Sequence, residues 1–82
     1  MIAFTENGWD DYASWADDRR MLKRINRLIE EAVLDPSTGI GKPERLSGDP
    51  AGYWSRRIDQ EHHLVYTVRG DSPVIVQARY HY

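Results

Sequence analysis

The sequence predicts an α+β domain: a pair of helices packed on one face of a mostly antiparallel sheet, in the order β-α-α-β-β-β. Two patterns carry this reading. Apolar residues recur at three- and four-residue intervals between Trp9 and Val33, and side chains alternate with a period of two from Tyr53 to Tyr80. Length agrees with it, because 82 residues suffice for one core and hence a single domain over residues 1–82. A chain of that size buries roughly 60% of its unfolded surface on folding.

Ile2-Ala3-Phe4 is a short apolar run suited to a first strand. Trp9, Tyr12, Ala13 and Ala16 then follow at helical spacing. Asp17 and Asp18 are N-cap candidates for a second helix, whose apolar stripe is Met21, Leu22, Ile25, Leu28, Ile29, Ala32 and Val33. Leu34-Asp35-Pro36 ends it, since the residue before a proline is pushed out of the helical region. Residues 37–52 hold four of the six glycines and two of the four prolines, and are expected to be irregular. Loops of that length in small domains are usually functional or disordered. Three strands are predicted at Tyr53–Asp59, His63–Val68 and Val74–Tyr80.

Alternation assigns the faces of those strands. Trp54, Arg56, Ile58, Leu64, Tyr66, Val68, Val74, Val76, Ala78 and Tyr80 form a set that is apolar apart from Arg56 and is expected against the helices. The opposite set includes Arg57, His63, Arg79 and His81, a cationic or protonatable group suited to a phosphate.

Composition excludes several function classes. There is no cysteine, so a disulfide framework, a thiolate zinc site and a cysteine nucleophile are all absent, and a reducing, cytoplasmic setting is expected. No apolar stretch approaches the ~20 residues of a membrane span, and the N-terminus lacks the basic start of a signal peptide. The net charge of −2 conceals strong sorting: residues 1–18 carry five acids and no lysine or arginine, and Arg19, Arg20, Lys23, Arg24 and Arg27 follow at once. That basic run reads either as a polyanion-binding surface or as the solvated face of the second helix.

The chemistry available is acid–base. Glu44 in the long loop, His81 near the end of the chain and Arg57 or Arg79 between them supply a proton acceptor, a proton donor and a cation. Cleavage of a phosphodiester through the ribose 2′-hydroxyl needs that set and no metal or other cofactor. A carboxylate takes the 2′ proton, an imidazolium protonates the leaving 5′ oxygen, and arginine holds the non-bridging oxygens. The competing use is a metal site at Glu61, His63 and His81, since adjacent His62 and His63 must point to opposite faces. No glycine-rich phosphate loop, nucleophile elbow or zinc-protease helix motif is present.

Several stretches together resemble one family. Gly41-Lys42-Pro43-Glu44, Gly52-Tyr53-Trp54-Ser55-Arg56-Arg57-Ile58, Glu61-His62-His63-Leu64-Val65-Tyr66 and Ala78-Arg79-Tyr80-His81-Tyr82 are similar to the YoeB (Txe) toxins of bacterial type II toxin–antitoxin systems. Trp9-Asp10-Asp11-Tyr12 with Trp15, and Lys23-Arg24-Ile25-Asn26, extend the likeness over essentially the whole chain. RelE toxins share the fold but rely on Lys, Arg and Tyr rather than a Glu and His pair.

The resemblance implies a RelE-like, microbial-RNase-type fold and an mRNA interferase that cuts messenger RNA in the ribosomal A site. Its implied partners are the ribosome, mRNA and a YefM-like antitoxin whose C-terminal segment wraps the toxin, with a homodimer also open. It places Glu44 as general base, His81 as general acid, and Tyr82 and Arg57 as residues shaping the site. Lys42, Arg57 and Arg79 are the residues expected to meet RNA phosphates. The sequence departs from the family at His63, where an arginine steadies the scissile phosphate, so another cation on the same strand face is called on. Two alternatives stand beside cleavage: a catalytically weak homologue that inhibits translation by occupying the ribosome or binding the antitoxin, and an interaction module whose polar face is a docking surface.

Overall fold

The computed structural model describes residues 1–47 and 52–80. Its elements are β1 (Ala3–Phe4), α1 (Glu6–Ala13), α2 (Arg19–Leu34), β2 (Glu44–Arg45), β3 (Tyr53–Arg57), β4 (His63–Arg69) and β5 (Ser72–Gln77). They form one five-stranded sheet in the order β1-β5-β4-β3-β2. The β1–β5 pair is parallel and the other three pairs are antiparallel. This is the α+β architecture anticipated from the sequence, two helices with a mostly antiparallel sheet.

Local signals start and stop the helices. Thr5 caps α1 by accepting from the Gly8 N–H at 3.0 Å, and Asp18 caps α2 by accepting from the Met21 N–H at 3.0 Å. Asp35 ends α2 with extended backbone angles ahead of Pro36. From α2, Ile25, Leu28, Ile29 and Ala32 are buried against Ile58, Leu64, Tyr66, Ile75 and Ala78 of the sheet side. Ile25, Leu28, Leu64 and Ile75 are wholly inaccessible, each worth ~1.5–3 kcal/mol relative to exposure.

Helix α1 is stitched to β5 by polar bonds as well as by packing. Thr5 N donates to Ile75 O at 2.9 Å, Asn7 Nδ2 to Val76 O at 3.0 Å, Ala78 N to Asp11 Oδ2 at 3.0 Å, and Trp15 Nε1 to Ala78 O at 2.9 Å. A Cβ at Gly8 would run into the Ile75 carbonyl, so only glycine permits this approach.

Three expectations are corrected. Residues 44 and 45, expected to be irregular, pair with β3 as an edge strand, Glu44 opposite Ser55 and Arg45 opposite Trp54. The third predicted strand stops at Gln77 rather than Tyr80, and its first half has the reverse facing: Ile75, not Val74 or Val76, is the core residue. The cause is a bulge. Val65 pairs with Gln77 but Tyr66 with Ile75, leaving Val76 as an additional residue that inverts the alternation. Beyond the bulge Ala78 is buried, as anticipated. Finally, β3 ends at Arg57 rather than Asp59, because Asp59 opens a tight turn: its Oδ1 accepts from the backbone N–H groups of Glu61 and His62 at 2.9 and 2.7 Å. Among the described residues no helix is long and apolar enough to cross a membrane.

Candidate active site

Strand register collects the candidate residues on the sheet face opposite the helices. Glu44 lies opposite Ser55, Arg57 is two residues along β3 from Ser55, and Arg57 lies opposite His63. Positions two apart share a face, so Glu44, Ser55, Arg57 and His63 project to one side together with Val65 and its partner Gln77. Glu44 and Arg57 are therefore diagonal neighbours, roughly 7–8 Å apart or somewhat less between Cβ atoms, and Arg57 and His63 are direct neighbours at roughly 5 Å, within reach of long side chains. Glu44 and Arg57 are exposed, while His63 is half-buried.

The loop that delivers Glu44 is held from beneath by the residue that broke the apolar pattern. Arg56 is completely buried. Its Nε donates to Tyr66 Oη at 2.8 Å, Nη1 to Ile40 O at 3.1 Å, and Nη2 to Asp35 O and Thr38 O at 2.7 Å each. Tyr66 in turn donates to Pro36 O at 2.6 Å. Burial raises the Tyr66 phenol pKa, against the opposing pull of Arg56, which keeps that donor protonated. Four loop carbonyls are thus bound by two buried side chains, and a fifth, Gly41 O, accepts from Arg57 N at 2.7 Å. Gly41 has φ +85° and its missing Cβ would press on Leu28 and Arg56; Lys42 follows at φ +50°. A left-handed non-glycine residue costs roughly 1–2 kcal/mol, and here the staked loop carries that cost immediately before Pro43 and Glu44.

Arg57 is fixed through its backbone from two sides. Beyond the Gly41 bond, Arg24 of α2 donates from Nη2 to Arg57 O at 3.1 Å and from Nε to Ile58 O at 3.2 Å. The Arg57 side chain is exposed. Arg79 stands elsewhere: its guanidinium lies 3.9 Å from the centroid of Trp15 and donates to Ser14 Oγ at 2.8 Å, at the end of α1. The strand alternation that placed it beside Arg57 ends at Gln77.

The chain reaches the site again at Tyr80, which has φ +62°. Its carbonyl accepts from His63 N at 2.9 Å and from Gln77 Nε2 at 3.3 Å, and its N–H donates to Nδ1 of His62 at 2.8 Å. The next residues, His81 and Tyr82, lie outside the described residues. His62 and His63 point to opposite faces, as the alternation requires: His62 is buried at 7% exposure, edge-on to Trp15. Among the described residues no three His, Asp or Glu groups gather as metal ligands, and the sequence trio Glu61, His63 and His81 includes a residue outside that set.

Sequence reasoning missed Arg56 and His62 as organisers. The signal for Arg56 was present in its position as the lone charged residue of an apolar strand face, diagonal to Tyr66. For His62 the alternation gave the inward face but not its partner.

The chain matches the family model of YoeB-like toxins of bacterial type II toxin–antitoxin systems over residues 4–82. It is 61% identical over 82 residues to a YoeB toxin of Streptomyces coelicolor, covering 99% of this chain and 98% of that one. The chain belongs to the YoeB toxin family. Its fold superimposes on a YoeB/ParE toxin from Agrobacterium tumefaciens with a TM-score of 0.95 at 48% identity, covering 100% and 99% of the two chains. It also superimposes on a heterotetrameric YoeB–YefM toxin–antitoxin complex from Staphylococcus aureus with a TM-score of 0.92 at 40% identity, covering 100% and 97%. In this YoeB fold, the sheet face opposite the helices gathers Glu44, Arg57 and His63, and the backbone of Tyr80 lies beside His63.

Proposed function

We propose that this YoeB-family toxin is a ribosome-dependent mRNA endoribonuclease, acting in the cytoplasm and neutralised by a YefM-like antitoxin. The observation that carries the reading is the register that puts Glu44, Arg57 and His63 on one face of the sheet, with Glu44 and Arg57 exposed. Glu44, exposed on the edge strand, takes the proton of the ribose 2′-hydroxyl. The 2′ oxygen attacks the adjacent phosphorus, the bond to the 5′ oxygen breaks, and His81 gives that oxygen a proton, leaving a 2′,3′-cyclic phosphate and a free 5′-hydroxyl. Arg57 is the permanent cation aimed at the non-bridging oxygens, where negative charge grows in the transition state. His63 stands beside it where the family has arginine, and Tyr82 matches the family's terminal tyrosine that helps shape the site. Lys42 is exposed and set to meet neighbouring RNA phosphates. Arg79, engaged with Trp15 and Ser14, serves the protein scaffold first and RNA second.

A second reading is favoured by His63 alone: without the family's arginine the protein binds the ribosome or its antitoxin and cuts weakly. One experiment separates the two. New RNA 5′ ends are mapped on programmed ribosomes with the wild type, Glu44→Gln and His81→Ala. Loss of an acid or base lowers cleavage by about 10²- to 10⁴-fold, so both variants should lose cutting while remaining folded. Cutting at wild-type rate by either variant overturns the assignment, and translation arrest without new ends supports occlusion.

A further inference from the structure

We propose that His62 is the positioning residue for the general acid: its Nδ1 holds the backbone of Tyr80, the residue that precedes His81 in the chain. The inference rests on the reading of His81 as the acid. Tyr80 N is a donor only, so at 2.8 Å from Nδ1 it requires that nitrogen to carry a lone pair, and the ring proton then sits on Nε2. That assignment suits the other edge of the ring, because Nε2 lies 3.5 Å from the Glu61 carboxylate.

The ring itself is held on every side. Trp15 meets it edge-on with centroids 4.9 Å apart, and the Tyr80 ring lies 5.2 Å away. Trp15 is anchored through its indole N–H to Ala78 O, and the His62 backbone through its N–H to Asp59. The other end of Tyr80 is held from the open face, where His63 N and Gln77 Nε2 donate to its carbonyl. A tyrosine with φ +62° is an outlier that persists only where its surroundings over-determine it. Without the Nδ1 acceptor the amide loses its partner and the backbone before His81 is free to relax.

A residue needed only to fill space would be indifferent to which atom accepts the bond, and this sets the test. His62→Asn places an acceptor where Nδ1 stands, His62→Gln places one near Nε2, and His62→Phe keeps a ring with no acceptor. Amide hydrogen exchange at Tyr80, together with kcat and KM for cutting on programmed ribosomes, reads the effect. His62→Asn should keep Tyr80 protected and kcat near wild type. His62→Gln and His62→Phe should lose that protection and lower kcat by about 10²-fold, the cost of a misplaced catalytic group, with KM little changed. The Asn and Gln pair retains the comparison if His62→Phe does not fold. Full protection of Tyr80 in His62→Gln and His62→Phe, or failure of His62→Asn to exceed them, overturns the proposal. If the wild type cuts no mRNA, the nuclease reading fails and takes the catalytic half of this proposal with it; the Tyr80 exchange pattern still decides whether His62 holds the tail.

Discussion

Replacing Arg56 by methionine removes the guanidinium that ties the Glu44 loop to the sheet while conserving most of the aliphatic stem. The magnitude follows from its four bonds. Hydrogen bonds to a charged group contribute about 1.5–3 kcal/mol each, but Asp35 and Thr38 are exposed and their carbonyls regain water when the arginine goes. The partly buried Ile40 carbonyl and the Tyr66 hydroxyl are the acceptors left poorly satisfied. Two such losses, offset by relief from desolvating a charge, give a destabilisation of about 2–4 kcal/mol. A chain of this length has on the order of 4–12 kcal/mol in total, so the variant should fold but marginally. In guanidinium chloride, with a slope of about 2 kcal/mol per molar, the unfolding midpoint should fall by roughly 1–2 M. Arg56→Lys should recover only part of this, since one ammonium cannot reach the carbonyls of Asp35, Thr38 and Ile40 and the phenol together. Cleavage at a temperature where the variant is still folded should also drop, because Glu44 is delivered by the loop that arginine stakes. A midpoint within a few tenths of a molar of wild type would show that the loop is held by something else.

Other outcomes test the chemistry and the scaffold separately. Cleavage should resist chelators, and RNA carrying a 2′-O-methyl group at the cut should be inert because the nucleophile is missing; activity abolished by EDTA would favour the Glu61, His63 and His81 metal reading. His63→Arg should raise the cleavage rate most toward high pH, since arginine keeps its charge where an imidazole does not; rate–pH curves that superimpose for wild type, His63→Ala and His63→Arg would remove any catalytic role for this histidine. Asp59 is held below the usual carboxylate range: burial works to raise it, but the backbone N–H groups of His62 and Glu61 outweigh that. A lowered folded-state pKa contributes stability that is complete above the unfolded value of about 3.9 and is lost as pH falls through the folded one. Asp59→Asn should therefore flatten the loss of stability below about pH 4, read by denaturant titration at each pH, and an unchanged slope would count against the turn as a source of acid sensitivity.

Much of the fold was legible because its signals were local. Asp18 at the cap, Pro36 after the last turn and the three- and four-residue spacing of Ile25, Leu28, Ile29 and Ala32 define α2 without reference to the rest of the chain. The strands from Tyr53 onward were legible through alternation, and Arg57 and His63 emerge on one face as that alternation requires. What was not legible depends on pairing. A two-residue strand at Glu44–Arg45 has no periodicity to detect and exists only because β3 offers it an edge. The bulge at Val76 coincides with the place where Asn7 binds the Val76 carbonyl and Gly8 presses on Ile75, distant parts of the sequence that alternation cannot weigh. Arg79 was misplaced beside Arg57 for the same reason, since a strand pattern extended past Gln77 ignores the pull of Trp15 on a guanidinium.

The same period of two explains how so short a chain could support the proposed acid and base on separate segments. Arg56 and Arg57 are neighbours, as are His62 and His63, and within each pair one side chain points inward and the other outward. The inward arginine binds the carbonyls of the loop that brings Glu44; the inward histidine binds the backbone of the tail that leads to His81. The outward pair, Arg57 and His63, lies side by side on the opposite face, where the proposed reaction would place the scissile phosphate. On the proposed reading, positioning and chemistry fall to adjacent residues on opposite sides of one sheet, and their substitutions should separate. Changes at Arg57 should alter rate with little effect on stability, because its side chain is exposed. Changes at Arg56 should lower both together, as an organising residue must when the loop it holds also completes the fold.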